Sequence, residues 1–275
     1  KTGHPHGNYK WVHTEPDKMT CTYCGTTYPS EKYPETEVIE TKWGKPQRFT
    51  FYGGDTFSTF SYKNMRPSWS GNLRARKVSH MQSVIASLSE SYVLTQDLKY
   101  AHAVRLILLR FAEVYPYWLV HSGYSEIADM HPHIAARHIL KLPEPERTLP
   151  PNVPDGRLHT GYWTAGRARA VGLEGAFVRR MAESYDMTAN AVDRDGKPLY
   201  SDAEREKIER DLLIEGCALL VADPKINNKS VSGFTAVGIV GAVVGHPGLV
   251  RVGIRNFMKT LDEWFLPDGY TPESP

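Results

Sequence analysis

No stretch of 18 apolar residues occurs anywhere in the 275-residue chain, which excludes a helical membrane span. A surplus of either charge is also lacking. Lys and Arg number 33 against 31 Asp and Glu, a formal +2, and nothing in that balance marks a nucleic-acid binder. Cysteine is scarce, with three residues in all. No sequence repeat at a fixed period is present, so the chain does not read as a repeat array. The first 60 residues lack helical periodicity, and almost no strand patterning follows them. What remains is enough chain to bury a sizeable core, as one large or two small domains.

Residues 1–60 are rich in Pro, Gly, Thr, Tyr and His and read as an irregular, partly β N-terminal lobe. Thr50-Phe51-Tyr52 and Thr56 to Phe60 flank Gly53-Gly54-Asp55, the pattern of a short hairpin. From Gly71 onward helices dominate, and residues 61–275 read as one helical domain. Met81, Ile85, Leu88 and Tyr92 share one helix face; Ala101, Val104, Leu108, Phe111 and Tyr115 share another. The short link Gln96-Asp97 makes those two helices antiparallel neighbours. A weaker helix is expected over 125–140, kinked near Pro132. Five prolines between 142 and 158 make an extended loop. A helix is then expected from about Thr160 to Tyr185. Ser201-Asp202-Ala203-Glu204 is a capping box opening a helix that carries Ile208, Leu212 and Leu219. The fold class is mainly α, built of helix hairpins. Pattern alone does not separate a bundle from a toroid.

The stretch from Ile226 to Pro275 organises the rest. Asn227-Asn228 precedes a run in which Gly233, Gly238, Gly241 and Gly245 alternate with Val, Ile and Ala. Glycine inside a helix costs about 1 kcal/mol relative to Ala, so this many predict close approach of another backbone. Val250, Ile254, Phe257, Leu261 and Trp264 then form an amphipathic stripe that ends at Leu266-Pro267-Asp268-Gly269. The Asn pair has two readings. It is a helix N-cap and turn. It is also a donor site for a negative group, since an amide at a helix N-terminus adds an N–H to the positive end of the dipole.

Asn-Asn ahead of a small-residue helix, then Asp268-Gly269 and Glu273-Ser274-Pro275, resembles the heparinase II/III-like polysaccharide lyases. His159, Trp163, Gly166-Arg167, Ala182 to Asp186, and Ser201 to Arg205 followed by Ile208-Glu209 fit the same family in order. The resemblance implies an incomplete α/α toroid, normally followed by a β-sandwich region that this chain would lack. It implies a secreted or periplasmic enzyme that cleaves a uronate-containing acidic polysaccharide by β-elimination, with no cofactor for catalysis. In such chemistry the uronate carboxylate must be neutralised before a base can take the adjacent proton. The resemblance gives that contact to Asn228, with Asn227 as the near alternative, and places the family's tyrosine just beyond Pro275. The chain opens on Lys1 and closes in mid-motif, which reads as a piece of a longer protein. A glycoside hydrolase using Asp268 and Glu273, and a non-catalytic carbohydrate-binding domain, are the competing readings.

Other candidates follow from spacing. His159, Trp163 and Arg167 fall one turn apart and would share a helix face, either as a helix entry or as a sugar subsite, with indole stacking and Arg pairing to carboxylate or sulfate. Tyr62 and His80 lie where the family lines its cleft. Arg74, Arg76 and Lys77, and then Arg167, Arg169, Arg179 and Arg180, are solvated faces or a groove for an acidic polymer. Cys21 and Cys24 stand at metal-ligand spacing with His4, His6 and His13 nearby. A structural zinc held by Cys21, Cys24, His4 and His13, a disulfide or redox pair, and two unlinked thiols all fit that pattern. His131, His133 and His138 read as a partly exposed helix start, His246 as a helix-ending loop residue and Cys217 as packing.

Overall fold

A computed structural model describes residues 9–40, 48–55, 57–59, 62–65, 68–118, 120–122, 127–130, 167–168, 174–222, 226 and 228–266. The described residues are mainly helical, with small antiparallel sheets. The chain divides into two compact units. One holds residues 1–80 and 119–171, the other 81–118 and 172–275.

In the first unit, β1 (Tyr9–Lys10), β2 (Met19–Cys21) and β3 (Thr27–Tyr28) form an antiparallel sheet in that order. β4 (Glu35–Glu40) pairs with β5 (Arg48–Tyr52), and β6 (Phe57–Thr59) with β7 (Tyr62–Met65). The expected hairpin across Gly53-Gly54-Asp55 is therefore replaced. Its first arm turns back onto β4 and its second pairs forward. A Cβ on Gly53 would lie 1.9 Å from the Thr36 hydroxyl oxygen of β4, a side-chain atom that would have to turn aside. β8 (Val120–Ser122) and β9 (Ile127–Met130) form a further hairpin, so strand occupies the start of the expected 125–140 helix and continues well past residue 60. Cross-strand pairing outweighs a weak helical pattern in so short an apolar run. The remainder of that helix and the proline-rich loop lie outside the described residues.

Aromatic rings make the core of this unit. Tyr9, Met19, Cys21, Tyr28, Trp69 and Leu73 are buried together, with Trp11, Tyr33 and Tyr52 packed against them. Tyr28 and Trp69 lie 4.2 Å apart between ring centroids, and the Trp69 indole N–H donates to the Tyr33 carbonyl. The long helix α1 (Trp69–Thr95) starts here. Ser68 Oγ accepts from the Gly71 amide at 3.0 Å as an N-cap, and the Glu35 carboxylate accepts from the Ser70 amide at 3.0 Å. Two orphan donors of the first turn are thus satisfied, one of them by a negative charge at the positive end of the helix.

The second unit packs α2 (Leu98–Val114), α3 (Glu174–Ala189), α4 (Asp202–Ile208), a π-helical stretch (Glu209–Ile214), α5 (Glu215–Ala222), α6 (Asn228–Val243) and α7 (Pro247–Trp264). The expected core faces are in place. Ile85 and Tyr92 of α1 are buried, as are Ala101, Val104, Leu108 and Phe111 of α2 and Tyr115 beyond it. The family-like Ala182 to Asp186 run supplies core contacts. Ser184 meets Ser89 of α1 at 3.2 Å, and the Tyr185 hydroxyl donates to Glu209 Oε1 at 2.6 Å. Burial, and then that carboxylate, push the Tyr185 phenol well above its ordinary value. The expected helix over 160–185 is corrected. Arg167 and Ala168 sit in a bend and α3 begins at Glu174.

The capping box at Ser201 and Glu204 is present in full. Glu204 also accepts from the Arg105 guanidinium. Partial burial works against the Glu204 charge, but Arg105 and the Ser201 amide and hydroxyl outweigh it and hold the carboxyl below its usual range. A folded-state value below the unfolded one gives stability that is present above the unfolded value and is lost as pH falls through the folded one. Glu204→Gln keeps an acceptor for the box and removes the charge. It is expected to cost about 1 kcal/mol near neutral pH, with the two proteins converging in acid. Chemical denaturation across pH 3–7 checks this, and a constant gap would remove the ion pair from the account.

The glycines of α6 do what their number predicts. A Cβ on Gly175 of α3 would sit 2.8 Å from Gly233 backbone atoms, one on Gly253 of α7 2.5 Å from the Gly238 nitrogen, and one on Gly241 2.6 Å from the Val250 nitrogen. α6 is held at backbone contact by the helices on either side of it. The α7 stripe behaves otherwise. Ile254 is 59% exposed and Leu261 36%, whereas Gly253 and Thr260 are the buried residues of that helix. Small residues rather than the apolar stripe face α6, because only they allow this close approach. His246 does not merely follow a helix. Its Nδ1 accepts from the Leu249 amide at 3.2 Å and caps α7. Gly253 and Gly238 face each other unequally. A Cβ on Gly238 meets nothing nearer than 3.9 Å. Gly238→Ala is therefore expected to stabilise by up to about 1 kcal/mol, and Gly253→Ala to destabilise by about 1–3 kcal/mol, since backbone cannot swing aside. Thermal unfolding of the two variants decides it, and equal signs would refute the asymmetry.

Candidate functional site

α6 begins at Asn228, and its first turn, Asn228-Lys229-Ser230-Val231, contains no acidic residue. The positive end of a helix dipole is a place where a carboxylate is stabilised. α6 packs on α3, α5 and α7, with Ser230 buried within its first turn. Asn227, just ahead of the helix, lies outside the described residues.

In the first unit, His80 of α1 sits in a cluster of rings. The His13 imidazole stacks on it at 5.1 Å with planes 11° apart, and the Trp11 indole meets it edge-on at 5.6 Å. The Trp11 N–H is spent on the Pro16 carbonyl at 3.1 Å, which fixes the indole. Trp11 and His80 are half-buried and His13 is exposed, so a ring surface reaches solvent. The cations of the same helix are engaged nearby. Lys77 pairs with Asp17, and Arg76 donates to Asn72 at 3.0 Å and lies over the Tyr9 ring at 5.9 Å. Tyr62 falls in β7. Arg167 is 2% exposed, so it is not the exposed member of a helix face. His159 and Trp163, its expected companions, lie outside the described residues, as do His131, His133 and His138.

No known protein-family profile matches the chain. It is similar to an alginate lyase over part of its length. An exo-oligoalginate lyase of Saccharophagus degradans is 35% identical over 85 residues, which cover 26% of this chain and 12% of that enzyme. The chain thus matches only a small fraction of its relative's length.

The Cys21–Cys24 turn joins β2 to β3. Cys21 ends β2 and is buried, while Cys24 is exposed; both are free thiols. Gly25 takes φ 69°, the left-handed region, and its amide donates to the Cys21 carbonyl at 3.0 Å, while the Cys21 amide donates to Thr26 at 2.9 Å. The Thr26 hydroxyl, then the Thr26 amide and the Cys21 thiol, lower the Cys24 thiol below its ordinary value. His13 faces His80 instead, and no group of three or more His, Cys, Asp or Glu poised for a metal is found among the described residues. His4 lies outside them. Cys217 is buried in α5, and burial pushes its thiol up to about 12, as expected of a packing residue.

The ring partners of His80 carried no signal in the sequence. Trp11 and His13 lie 69 and 67 positions away in the chain, and no local pattern links them to α1. No helix among the described residues is long and apolar enough to cross a membrane.

Proposed function

We propose that this chain carries part of a polysaccharide lyase that cleaves a uronate-containing acidic polysaccharide by β-elimination, in a secreted or periplasmic enzyme of the heparinase II/III-like kind. The observation that carries the reading is the similarity to an exo-oligoalginate lyase. The start of α6 at Asn228, free of acidic side chains, suits it. Asn228 is the carboxylate contact. By hydrogen-bonding the uronate carboxylate it stabilises the charge that builds as a base removes the adjacent proton. The carbon–oxygen bond on the next carbon then breaks, its electron pair leaves with the oxygen, which is protonated, and a carbon–carbon double bond remains. The base is a tyrosine expected after Pro275. His80, with Tyr62, His159 and Trp163, lines the polymer's path, and the helices form part of an α/α toroid. The elimination itself uses no cofactor.

The test is product chemistry. The full-length protein is incubated with polyuronates such as alginate and with sulfated uronate polymers. Ultraviolet absorbance of the unsaturated uronate supports the reading. New reducing ends without that absorbance mean hydrolysis, and an intact polymer means binding alone; either result overturns it.

A further inference from the structure

Tyr9, Tyr28 and Trp69 are buried in the core of the first unit, whereas Trp11, His13 and His80 are gathered where water reaches them. Trp11 packs on the edge of that core and meets His80 edge-on. One face of the His13 ring lies on His80, and His13 is exposed, so its other face is the one open to a ligand. Val12, between Trp11 and His13, is 41% exposed.

The segment that carries two of these rings is tied down at several points. The Glu15 amide donates to the Val12 carbonyl at 3.1 Å and the Lys18 amide to the Glu15 carbonyl at 3.2 Å, two successive turns. The Trp11 N–H is bound within the same segment, to the Pro16 carbonyl. Asp17 pairs with Lys77 of α1, which a spacing of three places on the same helix face as His80. A surface set before its ligand arrives loses little freedom on binding. The charges point to the sign of that ligand. Both carboxylates of the segment are compensated, Glu15 by Lys18 at 3.6 Å and Asp17 by Lys77, and exposed Lys10 adds a cation next to Trp11 in the chain. Among the described residues, none takes a hydrogen bond with a ring nitrogen of His13 or His80.

We infer that Trp11, His13 and His80 form a subsite for a uronate residue of an acidic polysaccharide, the sugar ring laid against the aromatic rings and the imidazole N–H groups donating to its carboxylate. A few rings with a few placed polar groups are the usual make-up of a small-molecule site. A pyranose offers a C–H face for the rings, and its carboxylate takes the donors at their edges, as charge-assisted bonds when an imidazole is protonated. An aliphatic partner would leave those ring nitrogens unmatched, and a neutral sugar would leave the surplus cation unused. The choice of a uronate rests on the lyase reading. The three residues all belong to the first unit.

The test runs the full-length protein in native gels cast with alginate, with hydroxyethyl cellulose or with no polymer, and follows product absorbance separately. Retardation by alginate and not by the neutral cellulose is expected. His13→Ala and Trp11→Ala should each weaken the apparent affinity for alginate about 10-fold, the scale of losing one aromatic anchor, and should raise KM with little change in kcat. His13 is exposed, so its variant should keep the parent Tm and stays informative if Trp11→Ala folds poorly. A parent protein that alginate does not retard, or unchanged affinity in the ring variants, overturns the subsite. Equal retardation by the neutral cellulose overturns its assignment to an acidic sugar. The two readings fail separately. Unsaturated product with no effect of the ring variants removes the subsite alone, and ring-dependent retardation without that product removes the lyase reading alone.

Discussion

Asn228→Ala, made in the full-length protein, is expected to lower formation of the unsaturated uronate product by about 100- to 1000-fold, the usual effect of deleting one donor that faces developing negative charge. The fold should hardly notice. Asn228 is the first residue of α6, and the position ahead of the helix, where a cap belongs, falls to Asn227 in the sequence. Capping losses of about 1 kcal/mol are therefore expected of Asn227→Ala, and catalytic losses of Asn228→Ala. Product absorbance and thermal unfolding, measured on both variants, separate the two roles. If Asn227→Ala alone stops turnover, the carboxylate contact is one residue earlier. If both turn over normally, the pair is only a cap, and the site lies elsewhere.

The two readings of the Asn pair arise because sequence shows positions and not what faces them. Where a feature is local, the chain was legible. The Ser201–Glu204 box, the buried faces of α1 and α2 and the burial of Cys217 all follow from patterns a few residues long. The glycines of α6 were legible for a different reason, since their cost within a helix demands a close neighbour wherever it lies. Strand pairing was not. Thr50 to Tyr52 look like half of a hairpin with the strand that follows, yet β5 returns to β4, a choice set by contacts around Trp69 and Glu35 that no short window contains. α7 misled in another way. Its apolar period is real, but periodicity gives a face and not what covers it, and the contact with α6 is made at Gly253, which carries little hydrophobic signal. At the candidate site, Asn228 and His80 were named from the family resemblance. The Trp11–His80–His13 cluster was not, because His13 looks from sequence like a partner for Cys21.

Gly175 connects that packing to the chemistry. It is the second residue of α3, and a Cβ there would meet the Gly233 nitrogen and Cα and the Ser232 carbonyl carbon, each at 2.8 Å. All three are backbone atoms, so relief requires α3 and α6 to part. Gly233 lies five residues after Asn228, so the displacement acts on the end of α6 at which Asn228 stands. Gly175→Ala is expected to cost about 1–3 kcal/mol, which at about 2–4 °C per kcal/mol for a domain of this size is a fall of several degrees in Tm. Elimination should slow in the folded protein as well, measured well below that Tm, because a shift of about 1 Å in a positioned group can cost 100-fold. Gly238→Ala is the matched control. It adds a methyl to the same helix where there is room, and should raise Tm and leave the rate alone. A Gly175→Ala protein with an unchanged Tm would show that the contact has slack. One that loses several degrees yet keeps its full rate would show that the seating of α6 does not position the carboxylate contact, and the role given to Asn228 would fall with it.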